Sequence, residues 1–413
     1  MGGIKMSGEG GILGQMHPSS WAIPVEKPLQ TKKSKKSLRI GVPMETNALE
    51  NRVSLTPETV GVLVSNGHEV YVQKDAGTAS SFSDGAYGAA GAYLTYSLGD
   101  IYAKADIIVK ISPPTAEELE HLRPGMQLIS ALNLGSLSPE SLTVLMKKNI
   151  TAIGFEFLQG EDGNLPLVQM MSEIAGVSSI HIASSLLTGP RGGKGLLLGG
   201  ITGVPPAVVT ILGAGTVGTH AARTALGVGA HVMVIDEAVH KLRQLKTLLG
   251  RPVYTAVAQQ HLIADCVLNS DVVIGAAYKP GQRAPVVVTE DMVSNMREGS
   301  VIVDIAIDQG GCVETSRLTT LENPTFTEHG VIHYCVPNIA SRVAHTASAA
   351  ISNILGPLLI QVGDSGGLEG LIKHNEGVKQ GVYVHRRHLT KLSLSKIFGL
   401  QYYNINLLLA SDL

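Results

Sequence analysis

The sequence predicts an α/β fold of two parallel-sheet domains, one inserted in the other, and three observations carry that expectation. Short β-branched runs alternate with amphipathic stretches of ten or more residues, the pattern of parallel strands joined by helical crossovers. The alternation halts once and restarts, which gives two units rather than one. The 413 residues include 47 glycines, with only 16% charged and 4% aromatic residues, a balance that suits buried sheets with many tight strand-to-helix turns. A chain of this length can also build two cores around a cleft.

Taken in order, residues 1–36 are rich in Gly, Ser, Pro and Lys, close with "TKKSKK", and read as a flexible arm before the first strand. Strands follow at "RIGVP", "EVYVQ", "DIIVKI", "QLISAL" and "TAIGFEF". Helices begin at "TPETVGVLVSNG" and "SPESLTVLMKKN", each opening with Thr or Ser, then Pro, then Glu: an N-cap, a rigid first residue and an acid that suits the helix dipole. The stretch "MSEIAGVSSIHIASSLL" has apolar residues at helical spacing and leads out of the first unit. Six more strands come next: "AVVTILGAG", "HVMVID", "PVYTAV", "DVVIGAA", "SVIVDIAID" and "VIHYCVP". After them "HTASAAISNILGPLLIQVGD" reads as helix up to Gly356 and Pro357. The boundaries therefore fall near 166 and 344, with residues 37–166 and 345–413 forming one domain and 167–344 the other.

Composition narrows the function. A net charge of −2 argues against a nucleic-acid or acidic-membrane surface as the main partner. Cys266, Cys312 and Cys335 are an odd, widely spaced set, which suggests neither a disulfide framework nor a zinc site and fits a reducing, cytoplasmic compartment. The apolar "GLLLGGITGVPPAVVTILGAG" is broken by Pro205, Pro206 and several glycines, so it reads as loop and strand rather than as a membrane span. The N-terminus shows no secretory pattern. "GPRGGKG" lacks the spacing of a phosphate-binding P-loop, "HRRH" at 385–388 reads as a basic surface patch rather than a metal site, and His181 as a core histidine.

Two constellations carry chemistry. In "VVTILGAGTVGTHAARTALGVGAHVMVID", Gly213, Gly215 and Gly218 follow an apolar strand and open a helix. That is the context a Rossmann dinucleotide turn requires, with a tight turn, a close pyrophosphate approach, a helix-to-strand contact and a helix dipole facing the phosphates. Asp236 ends the next strand, where its carboxylate can accept from both ribose hydroxyls and would repel a 2'-phosphate, so NAD is expected over NADP. In the first unit Arg52 stands in the loop after the first strand and Lys110 ends "DIIVK". Both lie at carboxyl ends of strands, where open sheets bind ligands, and two cations there would hold a small carboxylate. In "VIVDIAIDQGG" Asp304 interrupts an apolar strand and Asp308 ends it. A carboxylate in that place is costly to desolvate unless something uses it.

Together "RIGVPMETNALENRVSLTP", "VKISPP", "MSEIAG", "ILGAGTVG" and "VDIAIDQGG" resemble the alanine dehydrogenase family, which also contains the NAD-binding subunit of the proton-translocating transhydrogenase. The resemblance spans residues 38 to 400. It implies a two-domain subunit, commonly hexameric, that interconverts L-alanine with pyruvate, ammonia and NADH. It assigns the substrate carboxylate to Arg52 and Lys110, with Lys110 also near the chemistry. Cofactor contacts fall on Ser172, Gly213, Gly215, Thr216, Val217, Gly218, Asp236, Lys241, Ala277, Tyr278 and Ile305, with Asn338 near the nicotinamide. Asp308 matches the acid that handles the ammonia or water adding to the imine, while Asp304 reads as a structural group bonded to backbone. The pattern departs at Asn133, where the family's catalytic histidine would stand; an amide can polarise a carbonyl but carries no proton at ordinary pH. The alternatives are a transhydrogenase-type NAD(H)-binding subunit, for which Asn133 speaks and Asp308 does not, and a related dehydrogenase acting on another 2-oxo acid.

Overall fold

The computed structural model describes residues 34–47, 49–132, 137–278 and 283–410. The first unit supplies β1 (Arg39–Val42), β2 (Glu69–Gln73), β3 (Tyr93–Thr95), β4 (Ile107–Val109), β5 (Gln127–Ser130) and β6 (Thr151–Gly154). The second supplies β7 (Val208–Leu212), β8 (His231–Asp236), β9 (Tyr254–Val257), β10 (Val272–Gly275), β11 (Val301–Asp304), β12 (Thr325–Glu328) and β13 (Val331–Tyr334). After a long helix, Ala344–Asp364, the chain returns to add β14 (Val382–His385) and β15 (His388–Leu389) to the first sheet.

Sheet one runs β15-β14-β6-β5-β4-β1-β2-β3 and sheet two runs β12-β13-β11-β10-β7-β8-β9. Pairing is parallel except at β14 with β6, β14 with β15, and β12 with β13. Central strands such as β4 (IIV) and β10 (VVIG) are buried throughout, as strands covered on both faces must be. In sheet one the order reverses between β4 and β1, and in sheet two between β10 and β7, so each sheet has a crevice at the carboxyl ends of that pair.

The α/β class is as the sequence predicts, and the departures have physical causes. The unforeseen strands β3, β12, β14 and β15 are short and lie at or near sheet edges, where period-two patterning is weakest. "HRRH" is the turn of the β14–β15 hairpin: Arg386 and Arg387 take φ of 48° and 70°, the left-handed pair that a two-residue hairpin loop requires. His385 is buried on the strand, while the Arg386 guanidinium pairs with Glu369. The "MSEIAG" helix starts earlier than its apolar spacing suggests, at Pro166, and ends at Leu186. His181 is exposed rather than core, because Ile180, Ile182 and Ala183 take the inward positions.

Pro357 does not stop its helix, which runs on to Asp364. The lost backbone bond and ring clash cost about 3 kcal/mol. Burial of Leu355, Leu358, Leu359 and Val362 on the same helix offsets that at about 1.5–3 kcal/mol each. The run Ile339–Asp364 is the one helical stretch among the described residues long and apolar enough to cross a membrane, but half of its most apolar window is buried inside the protein, as a core helix would be. Finally, β11 ends at Asp304, and residues Ile305–Gln309 form a 3-10 turn. Asp308 therefore sits on a turn beyond the strand, free to project away from the sheet.

Candidate active site

The second sheet builds a dinucleotide cradle. Gly213 has φ 112°, and a Cβ there would lie 2.4 Å from the Ala276 carbonyl oxygen. At Gly218 a Cβ would be 1.8 Å from the Gly213 oxygen, so this glycine lets the helix Thr216–Gly227 meet the turn. A Cβ at Gly215 would meet no atom within 4 Å: the N-cap of that helix faces open space, the room a pyrophosphate needs. Gly176 extends the arrangement, since a Cβ there would be 2.3 Å from the Val217 oxygen. The helix that carries Ser172 thus lies against the first turn of the phosphate helix.

Asp236 is buried at the end of β8, and its two oxygens accept 2.7 Å bonds from the Ala214 and Ala238 backbone N–H groups. Each oxygen keeps a lone pair for a hydroxyl donor. Beside it lies a cavity of about 490 Å³, counted to its open mouth, lined by Asp236, Lys241, Ala277 and Tyr278 among others. Its mostly apolar walls, with Asp236 and Glu237 at one side, fit an adenosine half. Val217 and Ile305 are partly buried and pack against the core of this unit.

Asp304 and Asp308 divide as the sequence suggests. Asp304 is 1% exposed, and its oxygens accept from the N–H groups of Ala306, Cys312 and Val313 at 2.9–3.2 Å, so it ties the strand end to the glycine loop. Burial raises its pKa, while hydrogen bonds from Ser316, Cys312 and Val313 pull it back. Asp308 faces the cleft and accepts a 3.0 Å bond from the Asn338 N–H. The protein crowding it raises its pKa above the ordinary carboxylate value, while the Asn338 N–H and the Arg52 charge act in the opposite direction. Asn338 itself is left-handed at φ 55°, a conformation asparagine tolerates, and this aims its N–H at Asp308.

Arg52 arrives from the other sheet. Its Nε donates to Glu50 Oε1 at 2.7 Å and one terminal nitrogen donates to Glu50 Oε2 at 2.5 Å, while the other terminal nitrogen lies 3.4 Å from the Met171 sulfur. Asn338 Nδ2 donates to Glu50 Oε2 at 3.1 Å and to the Leu49 oxygen at 3.0 Å. Serines on the long helix and the turn before it fix the Arg52 loop: Ser341, Ser348 and Ser352 accept from the N–H groups of Asn51, Val53 and Thr56.

Lys110 is placed differently from the expectation. It is 1% exposed, and its ammonium donates to Glu118 Oε2 at 2.8 Å and to the Pro113 oxygen at 3.4 Å, with Glu45 Oε2 at 3.5 Å. Two hydrogen bonds and an ion pair thus hold the ammonium within the protein. Glu45 in turn accepts from the N–H groups of Ile111 and Ser112, which holds the loop after β4. Burial raises the Glu45 pKa, against the pull of Lys110 and the Ile111 N–H. Asn133 lies outside the described residues.

The structure thus brings together Arg52, Asp308 and Asn338, and holds Lys110 on Glu118, Pro113 and Glu45. Sequence reasoning missed Glu50, Glu45, Glu118 and Met171. Two of these left a signal: Glu50 and Arg52 are two apart in an extended segment and so share a side, and Thr115 with Glu118 spells a capping box that the structure forms.

A glycine-rich cradle on one sheet, facing an arginine and a carboxylate held at the strand ends of two sheets, defines a two-domain dinucleotide-binding α/β protein. The chain belongs to the alanine dehydrogenase/PNT family: the model of its N-terminal domain matches residues 41–175 and that of its C-terminal domain residues 179–391. It is 41% identical over 364 residues to an alanine dehydrogenase of Bacillus subtilis, covering 88% of this chain and 95% of that one. With an alanine dehydrogenase of Geobacillus stearothermophilus it shares 39% over 373 residues, covering 90% and 100%. Among solved structures an L-alanine dehydrogenase superposes with a TM-score of 0.83 at 37% identity, covering 88% of this chain and 99% of that one. A transhydrogenase from Sinorhizobium meliloti superposes at 0.74 with 26% identity, covering 86% and 99%.

Proposed function

We propose that this chain is an NAD-dependent alanine dehydrogenase, catalysing L-alanine + NAD+ + H2O ⇌ pyruvate + NH4+ + NADH + H+. The observation that carries the reading is identity near 40% to alanine dehydrogenases over nine-tenths of the chain. The site supports it. Arg52 supplies a fixed guanidinium for the substrate carboxylate. Asp308, on the cleft face and opposite that cation, is the proton carrier for the water or ammonia that adds at the substrate's central carbon. The glycine cradle and Asp236 fit NAD, which when bound supplies the hydride acceptor at this cleft. Lys110, with its ammonium on Glu118 and Glu45, supports the loop after β4 rather than the substrate.

The test is NADH oxidation with pyruvate and ammonium, followed by absorbance. Turnover is expected in the wild type, and Asp308→Asn should lower kcat by about 10² to 10⁴, the range for a positioned acid or base. Tight NADH binding with no pyruvate reduction would instead support a transhydrogenase-type subunit, the reading favoured by the amide at position 133.

A further inference from the structure

We infer that Glu50 is a positioning residue that fixes which edge of the Arg52 guanidinium meets the substrate, and that it joins this edge to the cofactor-side segment through Asn338. The inference rests on the alanine dehydrogenase reading and deepens it.

A guanidinium has two edges that can grip a carboxylate with two parallel bonds: the side formed by Nε and one terminal nitrogen, and the end formed by both terminal nitrogens. Glu50 occupies the side edge with both of its oxygens, and one of them also accepts the Arg52 backbone N–H at 3.0 Å. Glu50 is 7% exposed, so this grip is shielded from water. Only the end edge is left for a substrate carboxylate, and the atom resting on it is the Met171 sulfur. A thioether is a weak acceptor that an incoming carboxylate displaces. The same Glu50 takes a bond from Asn338 Nδ2, and the Asn338 N–H bonds Asp308. One carboxylate therefore sets the cation that holds the substrate and, one hydrogen bond away, the group that orients the acid. Without Glu50, Arg52 has its side edge free and can turn toward Asp308, on which its charge already acts.

Glu50→Gln and Glu50→Asp test this, with pyruvate affinity measured by calorimetry in the presence of NADH and with steady-state kinetics. Glu50→Gln should weaken pyruvate binding about 10- to 100-fold, the scale of a lost charge-assisted grip. NADH affinity without pyruvate should stay within about twofold, a modest change beside a factor of ten per 1.4 kcal/mol. The acid limb of kcat should move to lower pH as the released Arg52 approaches Asp308. Glu50→Asp keeps the charge on a shorter stem and should fall between wild type and Glu50→Gln in pyruvate affinity. If Glu50→Gln is too unstable to assay, the Glu50→Asp weakening alone decides. Unchanged pyruvate affinity in a folded variant, or an equal loss of pyruvate and NADH binding, would overturn the inference. Absence of turnover in the wild type, with pyruvate still bound, would instead remove the reading on which it rests.

Discussion

Arg52 and Lys110 leave the carboxyl ends of neighbouring strands, yet the protein uses them oppositely. Arg52 meets one carboxylate and leaves the other edge of its fork against the weakly accepting Met171 sulfur. Lys110 is buried among two carboxylates and a carbonyl. Position on a strand end therefore identifies a ligand-binding region but not a ligand. What decides is whether the donor count exceeds the partners at hand: a guanidinium with five N–H groups survives one bidentate partner with donors to spare, whereas an ammonium with three has no such margin beside two carboxylates and a carbonyl.

The largest effect that would break this contrast is on stability. Lys110→Met removes the counter-charge of two buried carboxylates and should destabilise the fold by about 3–5 kcal/mol, as when one partner of a buried pair is lost. The effect should depend on pH in a definite sense. The Glu45 pKa is already raised in the folded state, so its burial costs nothing at pH low enough to protonate it and costs more as pH rises through the folded pKa. Without Lys110 that pKa rises further, and the destabilisation should be small in acid and grow toward neutrality. Denaturant titration at several pH values measures it. A stable Lys110→Met protein with selectively weakened pyruvate binding would return Lys110 to the substrate.

A smaller effect sharpens the other half. Arg52→Lys keeps the charge but loses the fork, so the lysine must choose between Glu50 and the substrate. Pyruvate KM should rise about 10- to 100-fold, the worth of a charge-assisted bond, with NADH affinity held. The cation near Asp308 becomes less well placed, and Asp308, whose pKa Arg52 now lowers, should titrate higher. The acid limb of kcat should shift up, opposite to the shift expected for Glu50→Gln. Movement in the same direction in both variants would show that the limb does not report the Arg52 to Asp308 interaction.

Much of the fold was legible because its central strands are covered on both faces and must be continuous apolar runs, and because Gly213 and Gly218 of the cradle are dictated by backbone clearances that no other residue satisfies. Asp308 was legible as a carboxylate without a structural reason to be there. The partners of Arg52 and Lys110 were harder to read. Glu45 reaches the β4 loop across 66 positions of sequence and Asn338 reaches Glu50 across 288, and no local spacing encodes such contacts. The Pro357 helix was misread for the same reason: a local breaker was outweighed by burial against elements far away in the chain.

The smallest expected effect concerns Asp236, a carboxylate that resembles Lys110 in being used by its own protein yet resembles Arg52 in having capacity left. Its oxygens accept one backbone N–H each, and an ionised carboxylate has about four acceptor sites, so about two remain for ribose hydroxyls. A 2'-phosphate would bring negative charge against a buried anion that cannot turn away, because Ala214 and Ala238 hold it from two sides. NAD should therefore be preferred over NADP at least tenfold in kcat/KM, which needs only about 1.4 kcal/mol of differential binding. Asp236→Ser should narrow the gap mainly by improving NADP, since removal of a repulsion helps the excluded ligand more than it harms the accepted one. Equal use of both cofactors by the wild type would show that the carboxylate is wholly spent on the turn, as Lys110 is on its glutamates.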